Sequence, residues 1–467
     1  MSKIFISFYN FTRDPLAYDK FPPFYESFVN GLVKLGHEVF VFHFKSELDF
    51  SRSIPKQIEK IILQINPDLF IFFDNKFWDV TELTSAPILI YDVDSPIFYS
   101  NQELLKRKPL RFDFLSIQSD GVEIISNFLE NKSARIAYSP PFTSIKADKN
   151  TKVNKNIVFV GCNWLWGGLP EVLRFLNHQV SSHDKERAIK YLREFSLNPN
   201  SNIHEVYSNT SLPAIIESNE IVKLAFQISG LKRIKTFDAI SDLGLEIHGT
   251  YWDAPCLAYF PDVAFCIDKQ NVSSLRENEN LYNSAKIGVN TNHIQATTGF
   301  SWRVCDILAS NACLLTEYKS DLRTLFPDVD IPTFETPYEA REEASKLLKD
   351  EVRRKEIVEQ AHAAIDSRHR FHHQIQRIDV FLGTNLLEGD ARDLGKSKLT
   401  ILSDRNLKTI SSQPQSDNFS PTQRYFDNLS YRSIGTLFAK KVYYQNLFPI
   451  LGNEGHLFLK KLLKRKK

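Results

Sequence analysis

Residues Leu281–Glu317, LYNSAKIGVNTNHIQATTGFSWRVCDILASNACLLTE, decide how this chain folds. The apolar spacing predicts a short strand over Lys286–Val289, a helix from about Phe300 to Ser310, and a second strand over Cys313–Thr316. Between them lies a polar loop holding Asn290, Thr291, Asn292, His293, Gln295, Thr297, Thr298 and Gly299. Strand, loop, helix and strand make the repeating unit of a parallel α/β sheet, and loops at strand ends are where such sheets bind ligands. Arg303 and Asp306 stand three residues apart and share one helix face. A cation for phosphate beside an acid for ribose hydroxyls suits a nucleotide. The same spacing fits two solvated surface charges equally well.

Outward from this stretch the same pattern recurs. KIFISF at 3–8, an amphipathic helix over Phe24–Leu35 and the strand EVFVFHF at 38–44 begin a parallel sheet. A helix over Lys56–Ile65, strands at Leu69–Phe73, Ile88–Tyr91 and Phe114–Gln118, a helix over Gly121–Leu129 and a strand at Arg135–Ala137 continue it. This first Rossmann-like domain spans 1–145 and ends at the SPPF of Ser139–Phe142. The lysine-rich IKADKNTKVNKN then reads as a linker. At NIVFVGCNWLWGG the strand pattern restarts and opens a second Rossmann-like domain over 153–365. It lacks G-x-G-x-x-G, so the dinucleotide fingerprint is absent. Gly161 either lets backbone approach a ligand or only ends the strand. Residues 180–230 read as a helical insertion, helices follow at Arg233–Leu243, Tyr338–Leu348 and Glu351–Phe381, and 366–383 form a closing helix. Residues 384–423 are a polar linker, and 424–467 a basic amphipathic tail.

The bulk numbers narrow the function classes. The 467 residues carry 58 Lys and Arg against 56 Asp and Glu, a formal charge of +2 that gives no general reason to expect a nucleic acid partner. No apolar run reaches the ~18 residues of a membrane span. The five cysteines include no C-x-x-C pair and read as buried free thiols of a reducing compartment. The N-terminus, MSKIFISFYNFTRD, reads as a strand rather than a signal peptide, so a cytoplasmic protein is expected.

An ordered set of segments carries a family resemblance. KNIVFVGCNW, RIKTFDAISDLGLEIHGTYWD, LYNSAKIGVN, WRVCDILASNACLLTE, YKSDLRTLFP and HRFHHQIQRIDVFL, with PILIYDVDSP and FDFLSIQSDG in the first half, together resemble the CgeB-like, spore-protein-type group of glycosyltransferases over residues 1–383. That resemblance implies the GT-B fold: two Rossmann-like domains facing across a cleft, here with a helical insertion and a C-terminal extension. It implies transfer of a sugar from a nucleotide-sugar donor to a glycan or lipid-linked glycan acceptor, in cell-surface polysaccharide synthesis. Asp306 takes the place of the family's ribose-gripping acid, more often Glu, and Arg303 that of its diphosphate arginine. Gly161 and Asn163 match the loop after the first donor-domain strand. Gly249, Tyr251 and Trp252 match a glycine-aromatic turn beside the base, which is equally read as a tight turn with aromatic packing. Asn290 joins this donor set.

Glycosyl transfer requires a stabilised leaving diphosphate and, for inversion, a base for the acceptor hydroxyl. GT-B enzymes of this kind use amides and Arg or Lys without a metal, so no cofactor and no divalent ion are expected. Arg303, His293 and Lys286 are available for the diphosphate, although Lys286 reads better as a strand-edge charge and a loop histidine is commonly solvated. Asp92 and Asp94 follow the apolar strand ILIY and are the candidate bases. Their Asp-x-Asp pattern is also the metal motif of GT-A transferases. A GT-B nucleotide-sugar epimerase and a non-catalytic sugar- or lipid-binding scaffold fit the same residues. His369, His372 and His373 would share one helix face and read as an interdomain contact ahead of a zinc site. Arg13, Asp14, Tyr18 and Asp19 read as an acceptor loop or a mobile one. The tail HLFLKKLLKRKK can lie on an anionic membrane, which would place the enzyme peripherally on the inner face of the plasma membrane.

Overall fold

The structure, a computed structural model, describes residues 1–11, 20–45, 48–164, 182–197, 201, 203, 205–206, 218–250, 252, 257, 259–268, 272, 274–388 and 397–403. Internal contacts divide the chain into two units, 1–410 and 411–467, and the second lies outside the described residues. The predicted acceptor loop at Arg13–Asp19, Tyr251 and the basic tail also lie outside them.

The first unit contains two parallel sheets. The first sheet has strands β1 (Lys3–Tyr9), β2 (Glu38–Phe44), β3 (Leu69–Phe73), β4 (Ile88–Asp92), β5 (Asp113–Ser116) and β6 (Arg135–Tyr138) in the order β2-β1-β3-β4-β5-β6. The second has β7 (Lys155–Val160), β8 (Leu245–His248), β9 (Ala285–Asn290), β10 (Cys313–Glu317) and β11 (Thr333–Phe334) in the order β11-β10-β9-β7-β8. Each sheet is doubly wound, with its first strand lying between two later ones. The point where strand order reverses falls between β1 and β3 in one and between β7 and β9 in the other. Ligands of open α/β sheets bind outside the carboxyl ends of strands at such a point.

Strands such as LFIFF are buried along their whole length because helices cover both faces of a parallel sheet. Period-2 alternation divides the first sheet's side chains between two cores. Phe5, Phe70, Phe72 and Phe77 go to one, and Ile4, Ile6, Phe8 and Phe73 to the other. The phenylalanines meet edge to face, as at Phe5–Phe77 with ring centroids 5.1 Å apart. A separate core serves the second sheet.

Two features depart from the sequence reading. The helix expected over Glu351–Phe381 is broken into α1 (Glu351–Arg368) and α2 (Phe371–Leu382). The break contains neither Pro nor Gly. It arises where Thr143 and Arg370 form a parallel β-bridge and the Thr143 amide donates to the His369 carbonyl at 2.9 Å, so that tertiary pairing takes over the backbone groups. Beyond it, α2 returns to the first sheet and buries Ile375, Ile378 and Leu382 in its core. Secondly, part of the expected polar linker is a strand, β12 (Lys398–Ser403), which pairs in parallel with β2 and extends the first sheet to seven strands. KLTILS has β-type residues, but only the open edge of β2 gives them a partner.

The return of α2 rests on close packing against the helix Pro23–Lys34, where a Cβ on Gly31 would lie 2.4 Å from the Phe371 ring. Gly31→Ala is therefore expected to destabilise the fold by about 1–3 kcal/mol through overpacking. Urea unfolding would measure it, and an unchanged midpoint would contradict this contact.

Candidate active site at the domain seam

The loops after β7 and β9 meet at the second sheet's switch point. Gly161 follows β7, and a Cβ there would stand 2.6 Å from the Arg303 guanidinium. Gly249 follows β8 with φ +124°, and a Cβ there would stand 2.4 Å from the Gly161 carbonyl oxygen. Backbone touches backbone, so the position requires glycine. Trp252 is buried against Phe237 and donates its indole N–H to the Gly161 carbonyl at 2.7 Å. Asn163 is fully buried in the same loop.

Two arginines bridge the gap. Arg303 begins the helix α3 (Arg303–Leu308). It donates from Nε to the Val160 carbonyl at 2.6 Å and from Nη1 to Asn290 Oδ1 at 2.8 Å. Arg233 comes from the long helix α4 (Ser218–Ile240). It donates to the Cys162 carbonyl and, at 2.7 and 3.0 Å, to the Thr291 hydroxyl and carbonyl. It lies over the Trp164 ring. Burial first, then Arg303, pulls the Arg233 pKa well below its ordinary value. Asn290 is saturated, with its amide also donating to Thr316 Oγ1 at 2.9 Å.

Further charges collect at the end of β10. Glu317 is buried, pairs with Lys232 and accepts from the Asn292 amide at 3.0 Å. Lys319 is buried beside it, and desolvation brings its pKa down to about 8. Sequence reasoning missed Lys232, Arg233, Glu317 and Lys319. One signal was present for the last two: both sit at the carboxyl end of a parallel strand. Lys286, by contrast, lies at the start of β9, away from this end, and donates to Asn156 Oδ1 at 3.0 Å.

His293 is buried, with its ring 4.9 Å from that of Trp164 and 6.1 Å from that of Phe98 in the first domain. Burial, then Arg233 and Lys232, push its pKa down to about 3, so it is a neutral imidazole at physiological pH. Asp306 sits on α3 and accepts from the Thr143 hydroxyl at 2.6 Å, beside the chain crossover. Its carboxyl is raised to about 6, mainly by burial, with the Thr143 hydrogen bond and Arg303 opposing.

The first domain brings acidic groups to the same seam, where Asp94 meets Gln295. Asp92 ends β4, is 1 % exposed and accepts from the Ser116 hydroxyl at 3.2 Å. Burial pushes it up to about 7, against the Tyr99 and Ser116 hydroxyls. Asp74, at φ +50°, accepts from the amides of Val93 and Asp94 at 3.0 and 3.3 Å and so fixes the Asp92–Asp94 loop. Its carboxyl is also held well up by burial and then by Asp94. Asp94 stands at the seam and accepts from Gln295 Nε2 of the second domain at 2.7 Å. Nearby, Thr297 donates twice to Gln118 Oε1 at 3.0 Å, and Ser119 donates to both oxygens of Asp321. The polar loop of the opening stretch thus forms one face of the seam.

The expected histidine face at 369–373 does not form, because α1 ends before His369. That ring is buried and 3.0 Å from the Pro141 carbonyl, whereas His372 and His373 are neighbours at the surface. Cys162, Cys266, Cys305 and Cys313 are free thiols.

Residues 232–379, running from Lys232 into α2, match the family model described as Glycosyl transferase-like, which is less than half of the chain. No curated protein matches the chain in sequence. Among solved structures, the sucrose-phosphate synthase of Thermosynechococcus elongatus is similar with a TM-score of 0.50 and 10 % identity, covering 82 % of this chain and 99 % of that one. WaaG, a glycosyltransferase involved in lipopolysaccharide biosynthesis, is similar at TM-score 0.45 and 11 % identity over 82 % of this chain and 100 % of that one. The T4 phage BGT solved with its UDP-glucose substrate gives TM-score 0.41 and 10 % identity over 83 % and 99 %. The fold is GT-B, with two Rossmann-like domains, and residues 232–379 match a glycosyltransferase-type family model. The second sheet removes the single-domain GT-A reading of Asp92 and Asp94.

Asp92 gives a stability test. Its folded pKa of about 7 exceeds the unfolded value of about 3.9. Between those values the folded state binds more protons, so this residue's contribution falls as pH rises from about 4 to 7. Asp92→Asn is therefore expected to raise the melting temperature at pH 8 and to change it little at pH 4. A gain of equal size at both pH values would contradict the assignment.

Proposed function

We propose that this chain is a glycosyltransferase that moves a sugar from a nucleotide-sugar donor to a hydroxyl acceptor. The supporting observation is what meets at the seam: Lys232, Arg233, Arg303 and Lys319 gather as one wall at the strand ends of the second domain, and Asp94 of the first domain, with Asp74 and Asp92 buried behind it, belongs to a second wall that reaches that domain at Gln295. A nucleoside diphosphate needs the first wall, and an acceptor O–H needs a proton acceptor from the second.

In this reading the donor diphosphate lies against the loops after β7, β9 and β10. Lys319 faces the leaving group, while Arg233 and Arg303 hold the loops and lend positive potential. Asp94 takes the acceptor proton as the acceptor oxygen bonds to the anomeric carbon, and the bond from that carbon to the diphosphate breaks with its electron pair going to the leaving oxygen. Asp74 holds Asp94 through the loop amides. His293, being neutral, shapes the site without compensating charge. Asp306 would reach a ribose hydroxyl only by exchanging its bond with Thr143. Neither a cofactor nor a divalent ion is part of the proposal.

The finer proposal follows the sequence resemblance: a CgeB-like enzyme of cell-surface polysaccharide synthesis, with a glycan or lipid-linked glycan as acceptor. It would be cytoplasmic, and its basic tail would rest on the inner face of the plasma membrane. Among the described residues no helix is long and apolar enough to cross a membrane.

Titration calorimetry with a panel of nucleotide-sugars is expected to find one that binds. Its affinity should fall as pH rises through about 8, because Lys319 then loses its charge. Lys319→Met should weaken binding about tenfold, ~1.4 kcal/mol, and flatten that pH dependence. Asp94→Asn should leave donor affinity unchanged and lower turnover by about 10²-fold or more. Binding by none of the panel would end the donor-site reading. Donor conversion without an acceptor would favour an epimerase, and intact binding without any turnover a scaffold.

A further inference from the structure

On β8, away from the seam's acidic wall, Glu246 and His248 point to the same face of the strand, and Asp268 lies beside them where Ile247 bridges to Ile267. The three side chains bring one ligand atom each to within 4.8 Å of one another. His248 is 2 % exposed, and neither ring nitrogen has a hydrogen-bond partner among the described residues. Instead Nε2 lies 3.6 Å from Glu246 Oε2, and Nδ1 lies 3.7 Å from Asp268 Oδ2.

Those separations are too long for hydrogen bonds. Either one fits a ring nitrogen and a carboxylate oxygen that share an ion: on a tetrahedral Zn²⁺ with bonds of about 2.1 Å, neighbouring ligands stand about 3.4 Å apart. A buried imidazole with both nitrogens unsatisfied is costly, and a cation at one of them removes part of that cost. A neutral imidazole is the form that ligates a metal.

We propose that Glu246, His248 and Asp268 form a binding site for a divalent first-row metal ion of the zinc type. One imidazole nitrogen with carboxylate oxygens suits zinc better than calcium or magnesium, which take oxygen alone. The partly exposed Glu246 provides the entrance and water completes the coordination. Lys155 pairs with Glu246, so its ammonium competes with an ion for that carboxylate. The site adjoins the turn at Gly249, and a bound ion would stiffen that turn.

The test is calorimetry with Zn²⁺ alone on the chelator-treated, tag-free full chain, with no nucleotide-sugar present, so its outcome is independent of the donor reading. A His372→Ala/His373→Ala background removes the exposed histidine pair as a rival ligand. One Zn²⁺ per chain is expected, with Co²⁺ giving a visible absorption band. His248→Ala and Glu246→Gln should each weaken binding at least about tenfold. Glu246 is partly exposed, so Glu246→Gln reports even where His248→Ala fails to fold. Lys155→Met should tighten binding by about threefold or more, because a competing cation is removed. No binding in this background, binding unchanged by Glu246→Gln, or weaker binding in Lys155→Met would each overturn the proposal.

Discussion

Two guanidinium groups span the gap between the loops after β7 and β9, and the geometry of the seam depends on them. Arg303 joins the Val160 carbonyl to Asn290, and Arg233 joins the Cys162 carbonyl to Thr291. A parallel sheet leaves carbonyl groups at its strand ends without ladder partners, and here the arginines satisfy them. Charged donors make stronger hydrogen bonds than neutral ones, and the guanidinium plane fixes their direction. Two like charges are thereby buried together, which is visible in the lowered pKa of Arg233. The aromatic faces of Phe159 and Trp164 offset part of that repulsion.

Burial and the same positive potential order the surroundings, and together they keep His293 neutral. Across the seam, burial has the opposite sign of effect on the carboxyls, so that Asp74 and Asp92 hold their protons more tightly. Asp94 stands instead at the edge, bonded to Gln295 of the other domain. Depth has separated three neighbouring aspartates into two buried supports and one group at the cleft. Sequence spacing does not encode that division of roles.

The frame that brings the walls together is held at the crossover. Thr143 bonds backbone to His369 and side chain to Asp306, so one residue touches the linker, the closing segment and the helix after the polar loop. Trp302, next to Arg303, stacks on Phe24 of the first domain. With α2 returning to the first core, the two sheets share one body although each has its own hydrophobic cluster.

Local pattern alone set the alternation of strands and helices. Apolar runs such as LFIFF and periodic helices such as Gly121–Leu129 are legible in the sequence, and the structure places them at the same residues. The polar loop after β9 was marked in the same way, because such a density of Asn, Thr and His between apolar elements has a local signature. Long-range contact decided the rest. The helix break at His369–Arg370 needs Thr143, and β12 needs the edge of β2. Lys232 and Arg233 look like solvated charges in KRIK until the sheet brings Glu317 and Thr291 beside them. Whether a charge is solvated or buried against a partner far along the chain is settled by three-dimensional packing, because the desolvation and the partner arrive together only when the chain folds.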